Sequence, residues 1–186
     1  GSLGLYGINQ SNAGLKSVYE DRTVPAVQLG KILDVWYQVR RNAIDAASSK
    51  NIEVAKARAE DALKLVKQNE GVWAQFMATK LTPEETALAK TKGEQHVQYV
   101  ASLNRTLQLA SAGDFEAAAL NVSTDAASKF SALRETVFTL LDLQGTAAAQ
   151  EYATAQGHYE NIFMTSVVVM ILGVSLAIIV GFLLIR

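Results

Sequence analysis

The chain has 186 residues, no cysteine, two prolines and a formal net charge of -1. The lack of cysteine rules out a disulfide framework and any thiolate metal site. Charged residues are 19% of the chain and nearly balanced, which leaves no electrostatic footprint for nucleic acid. Alanine and leucine are the commonest residues, and with glutamate, lysine and glutamine they favour helix. The length suits one compact domain plus one extra element.

Residues 1–8 are set apart from the domain. Gly1 and Ser2 read as a cloning scar, and residues 3–8 as the end of a first membrane helix. From Asn9 to about Ser48 the pattern is helical, with Leu29, Leu33, Trp36, Arg40, Ala43 and Ala47 on one stripe. Pro25 lies inside this helix. It removes one backbone donor and is expected to bend the helix rather than end it.

Ser48, Ser49 and Asn51 mark a tight turn, with Asn51 as N-cap of a second helix. The expected buried stripe of that helix is Ile52, Ala55, Ala59, Leu63, Val66, Trp73, Phe76 and Met77. Thr82-Pro83-Glu84-Glu85 then opens a third helix, with Thr82 as N-cap, Pro83 at the first position and Glu85 closing a capping box. Leu88, Val100, Leu103, Leu107 and Ala110 carry it to a stop near Gly113.

Residues 114–120 form a short helical piece, and residues 121–124 offer capping oxygens. A fourth helix continues through Phe130, Leu133, Val137, Leu140, Leu141 and Gln144. No proline separates it from residues 162–185, an uncharged run of about 24 residues. At about 1.5 Å per residue this run can cross a hydrocarbon core of about 30 Å. The expected fold is all-α: an antiparallel up-down-up-down four-helix bundle over residues 9–161, with a transmembrane helix over 162–186 continuous with the fourth helix. Arg186 after the span places that end in the cytoplasm. Gly173, Ala177 and Gly181 share one face, either a surface for close helix approach or the ordinary small residues of membrane helices.

Residues 18–46 (VYEDRTVPAVQLGKILDVWYQVRRNAIDA) and 111–118 (SAGDFEAA), with the terminal span, resemble the four-helix-bundle sensor domain of bacterial methyl-accepting chemotaxis receptors. The resemblance implies a homodimer in the inner membrane with its bundle in the periplasm. It also implies a ligand near the membrane-distal end, and a small piston-like shift of the last helix that reaches cytoplasmic signalling proteins. Similar modules occur on histidine kinases and cyclic-dinucleotide enzymes, so the output is left open. Gln38-Val39-Arg40 matches the Gln-x-Arg segment whose arginine clamps a ligand carboxylate in aspartate-type receptors. Asp45 and Ser49 stand where those receptors carry two more arginines, which sets this chain apart from aspartate recognition.

Bundle geometry gives an independent route to a site. Counting from the distal turns, Arg40 falls about 13 Å below the tip, with Arg105 and Lys129 at similar depth. Thr106, Ser123 and Thr124 are near that height, and Trp36 lies one turn from Arg40. These seven residues are the candidate ligand-binding set for a small carboxylate-bearing molecule, since guanidinium offers carboxylate a planar fork. The alternatives are a surface arginine with an acidic neighbour, solvated faces for Arg105 and Lys129, and a core role for Trp36.

No enzymatic reading is reached. His96 and His158 are the only histidines, neither has a partner at metal spacing, and no phosphate loop or nucleophile elbow occurs. No catalytic residue and no cofactor is assigned. The two function classes carried forward are a ligand-sensing receptor domain and a membrane-anchored structural bundle.

Overall fold

A computed structural model describes residues 2–185. Among them there is no strand. The helices are α1 (Ser2–Val18), α2 (Val24–Ser48), α3 (Ile52–Met77), α4 (Pro83–Ser111), α5 (Phe115–Ser123) and α6 (Asp125–Ile185). The expected first helix is therefore α1 and α2 together, and it begins at Ser2 rather than Asn9. The scar reading of Gly1 and the flanking role of Arg186 lie outside the described residues.

Pro25 disturbs the helical hydrogen bonding before it by a specific means. It has no amide hydrogen for the carbonyl four residues back, at Asp21. The chain responds with a wide π-helical turn over Tyr19–Thr23, and the Thr23 hydroxyl donates to the Val18 carbonyl at 3.1 Å. Pro25 itself is buried in α2.

Two compact units result. Residues 24–145 form the bundle, and the two ends of the chain, through Thr23 and from Thr146, form the second unit. In the bundle, α2, α3, α4 and the first part of α6 surround one core. Trp36, Tyr99, Phe76, Leu29, Ile32, Leu103, Leu133 and Leu140 are its fully buried large side chains. Contacts between α4 and α6 run antiparallel, from Ser102 with Asp125, through Tyr99 with Phe130, to Glu85 with Gln144.

The caps form as expected. Asn51 accepts from the amides of Glu53 and Val54, at 3.0 and 3.2 Å. Thr82 and Glu85 close a reciprocal capping box before Pro83. Each such cap contributes about 1 kcal/mol. Glu85 does more than cap: it is buried, and the Gln144 amide donates to its carboxylate.

The second-helix stripe needs correction. Ala55, Val66 and Phe76 are buried, but Ile52, Leu63 and Met77 are exposed. The stripe advances by sevens instead, through Ala55, Ala62, Asn69 and Phe76, with Asn69 donating to the Ile32 carbonyl at 2.9 Å. Towards the α2–α3 turn the seam is almost entirely alanine: Ala43, Ala46 and Ala47 on α2, and Ala55 and Ala62 on α3, all buried.

That turn meets the α4–α5 turn at one end of the bundle. Gly113 has a φ of 87°, and a Cβ there would lie 3.2 Å from Ile52 Cδ1. Lys50 also adopts positive φ, at 52°. The third connection, around residues 78–82, lies at the opposite end.

In the second unit α1 packs against the C-terminal part of α6. A Cβ on Gly7 would lie 3.0 Å from Ile162, and one on Gly14 3.1 Å from Ala155, so the helices approach at glycine. Arg22, buried in the π-helical turn, donates from Nε to Glu151 at 2.9 Å. A groove of about 400 Å³ follows this helix pair, lined by Gln10, Ser17, Glu151, Thr154 and His158 among others. Farther along, α6 is long and apolar enough to cross a membrane, and its most apolar window is unburied. The helix runs without a break from Asp125 through this stretch.

Candidate functional site

Arg40 lies near the distal end of α2, between the core and the outer surface. It is half-buried. Its guanidinium carbon stands 4.8 Å from the centroid of the Phe130 ring on α6. No carboxylate of the described residues forms an ion pair with it. Phe130 belongs to an aromatic chain, with Tyr37 edge-on at 5.5 Å and Tyr99 tilted at 5.5 Å. Burial pushes the Tyr99 hydroxyl well above the ordinary tyrosine range, and the Arg40 charge opposes that rise.

The free side of Arg40 opens into a groove of about 390 Å³ along α2, lined by Asp34, Tyr37, Gln38, Arg40, Arg41 and Ile44. Two guanidinium groups thus line one open groove. Arg134 of α6 reaches its edge, donating from Nη1 to the Tyr37 hydroxyl at 3.4 Å. Asp34 is occupied by the Gln38 amide at 2.8 Å. This constellation can receive an anion with two charge-assisted donors and an aromatic wall.

Trp36 points the other way. It is in the core, edge-on to Tyr99 at 5.3 Å and tilted against His96 at 5.5 Å, and does not line the groove. The remaining expected residues gather around the start of α6. Thr106 is fully buried and accepts from the Asn121 amide at 2.8 Å. Asn121 also donates to the Ser102 carbonyl at 3.0 Å. Ser102 donates to Asp125, which accepts from Lys129 at 2.8 Å as well. Lys129, then Ser102, hold the Asp125 carboxyl below the usual carboxylate range, with a smaller contribution from the Arg105 charge. Arg105 is exposed. Ser123 and Thr124 donate their hydroxyls to carbonyls of α5, to Ala119 and Leu120 respectively, both at 2.7 Å.

The seven residues therefore form separate groups rather than one ring. Arg40 stands with Tyr37, Arg41 and Phe130. Thr106 and Lys129 belong to the polar network that clips α5 and the start of α6 onto α4. Arg41, Tyr37 and Ile44, which line the same groove, were not among the residues expected from the sequence. The signal was present, since residues 34, 37, 38, 41 and 44 make a second stripe on the outward face of α2.

The architecture is a helical bundle carried on a helix that can cross a membrane, with a cationic groove on its first long bundle helix. Residues 1–159 match the family model of the four helix bundle sensory module for signal transduction, and the chain belongs to that family. It is a sensory signalling module and not a catalytic domain. A comparison with curated proteins finds no match.

Proposed function

We propose that the chain is the sensing part of a chemotaxis-type receptor of the bacterial inner membrane, with its bundle in the periplasm, and that it recognises a small carboxylate-bearing molecule through Arg40. The observation that carries this reading is the state of Arg40. It is half-buried on Phe130, has no carboxylate partner among the described residues, and opens with Arg41 into a groove of about 390 Å³. A partly desolvated guanidinium favours an anion there. Arg40 takes the carboxylate, Arg41 adds charge, and Tyr37 walls the ligand. Thr106, Ser123, Thr124, Arg105 and Lys129 hold or flank the neighbouring end of α6.

The groove lies on an outer face, which fits a homodimer with α2 of each protomer at the interface. Val27, Tyr37 and Ile44 support this, being large apolar side chains exposed on α2. A ligand bound there bears on α2 and, through Phe130, on α6. The unbroken α6 supports transmission as a small axial displacement towards cytoplasmic signalling proteins.

The test is calorimetry on the full chain in detergent micelles, against a panel of small organic acids and amino acids. One or more anions should bind. Arg40→Ala should weaken that binding about ten- to hundredfold, the loss of one hydrogen bond to a charged group. The helical circular-dichroism signal should stay intact. Equal binding by parent and mutant would make Arg40 structural.

A further inference from the structure

The bundle contains a second cationic group, on α4, unused by the reading above. Lys92 of α4 is buried, 2% exposed, with its ammonium 3.8 Å from the centroid of the Trp73 ring on α3. One turn on, His96 sits against Trp36 of α2, and its Nε2 lies 3.7 Å from the Glu70 carboxylate on α3. Three polar atoms in this layer, Trp36 Nε1, His96 Nδ1 and Asn69 Oδ1, are buried without a hydrogen-bond partner. The layer joins α2, α3 and α4, and the packed arrangement leaves its polar groups poorly served.

We propose that the Lys92–His96–Glu70 layer is a proton-sensitive joint, in which protonated Lys92 favours a loosened, hydrated packing of α3 on α4 and neutral Lys92 favours the packed one. The charges facing it are few. From α3 there is Glu70 alone. From α2 the facing group is Trp36, while Lys31 and Asp34 are exposed. From α6 the stretch between Phe130 and Gln144 buries Leu133, Val137 and Leu140; Arg134 is turned to Tyr37, and Glu135 and Asp142 are exposed. On α4 itself Glu85 lies about two turns away, bonded to Gln144 and Thr82, and Lys90 and Glu94 are exposed.

The electrostatics agree with this geometry. Burial pulls Lys92 from 10.5 down to about 8, and Glu70 opposes only in part. The packed joint thus holds its proton more weakly than a solvated lysine does. A proton is then a ligand with different affinities for two packings, which is the requirement for a switch. Burial, and next the Lys92 charge, lower His96 below 6.5, with Glu70 opposing. The sign follows from linkage. Above about pH 8 the packed state releases this proton before the loosened or unfolded state does, so packing strengthens as pH rises from about 8 towards 10.5. As pH falls below 6.5 the loosened state takes up the His96 proton first, two cations one turn apart then face one carboxylate, and packing weakens further. The layer is electroneutral only between these limits.

The two tryptophans of the chain, Trp36 and Trp73, both touch this layer, so intrinsic tryptophan fluorescence reports on it directly. The experiment is a titration of the full chain in micelles from about pH 5 to 11, read by that fluorescence and by the NMR shift of Lys92 Nζ. The fluorescence should change with a midpoint between about pH 8 and 10.5, coincident with the Nζ titration. Lys92→Met should remove the alkaline step and keep the helical signal. Lys92→Arg, charged throughout the range, should remove it too but stay in the low-pH fluorescence state. A Lys92 Nζ that titrates near 10.5, or an alkaline step unchanged in Lys92→Met, overturns the proposal.

Discussion

Phe130 offers the sharpest test of how the groove is built. Its ring carries two aromatic contacts, to Tyr37 and Tyr99, and the Arg40 guanidinium stacks on it. Phe130→Leu keeps an apolar side chain in the core but removes all three. Each aromatic pair contributes about 0.5–1.5 kcal/mol beyond simple burial. The cation–π contact, half open to water, contributes about 0.5–1 kcal/mol. The expected cost is therefore about 1.5–4 kcal/mol, against about 3–5 kcal/mol for Phe130→Ala, which also leaves a cavity. Denaturant unfolding followed by circular dichroism gives both values. A double-mutant cycle with Arg40→Met isolates the stacking and should return a coupling of about 0.5–1 kcal/mol. A Leu variant within about 0.5 kcal/mol of the parent, or a cycle with no coupling, would refute the idea that Phe130 holds Arg40 in place.

Other positions have equally definite expectations. Gly113→Ala places a Cβ at positive φ and against Ile52, and should lower the unfolding midpoint by an amount equivalent to about 1–2 kcal/mol. Gly14→Leu forces α1 from α6 at the Ala155 contact and should cost about 1–3 kcal/mol locally. Amide exchange across α1 should then accelerate while exchange in the buried stretches of α3 and α4 stays as in the parent.

Much of the fold was legible because its signals are local. Asn51 and the Thr82–Glu85 box cap their helices through bonds two and three residues long. Pro25 signalled an irregularity in the first helix, and a π-helical turn precedes it. Burial was harder where small or polar residues face inward. Ala62 and Asn69 carry the α3 seam, yet Leu63 beside Ala62 is the more hydrophobic choice and is exposed. Lys92 and Glu85 are buried because Trp73 and Gln144 wait for them on other helices. The site was legible only in part for the same reason. The partner of Arg40 is Phe130, ninety positions later in the chain, and the groove it opens into belongs to the outward stripe of α2, not the inward one.

The alanine seam between α2 and α3 has a consequence for motion. Alanine has no side-chain rotamers to freeze, so packing it costs backbone freedom alone. Ala43, Ala46 and Ala47 against Ala55 and Ala62 make a contact with nothing to rearrange: no long side chain can swing aside to let one helix ride over the other. Larger side chains would supply alternative packings of similar energy, and alanine supplies none. The distal half of this hairpin is thereby a stiff two-helix plate. In the reading proposed above, a push delivered to α2 at the Arg40 groove would be carried by both helices together, and the give needed to respond to it would come from elsewhere in the bundle, where side chains are long enough to repack.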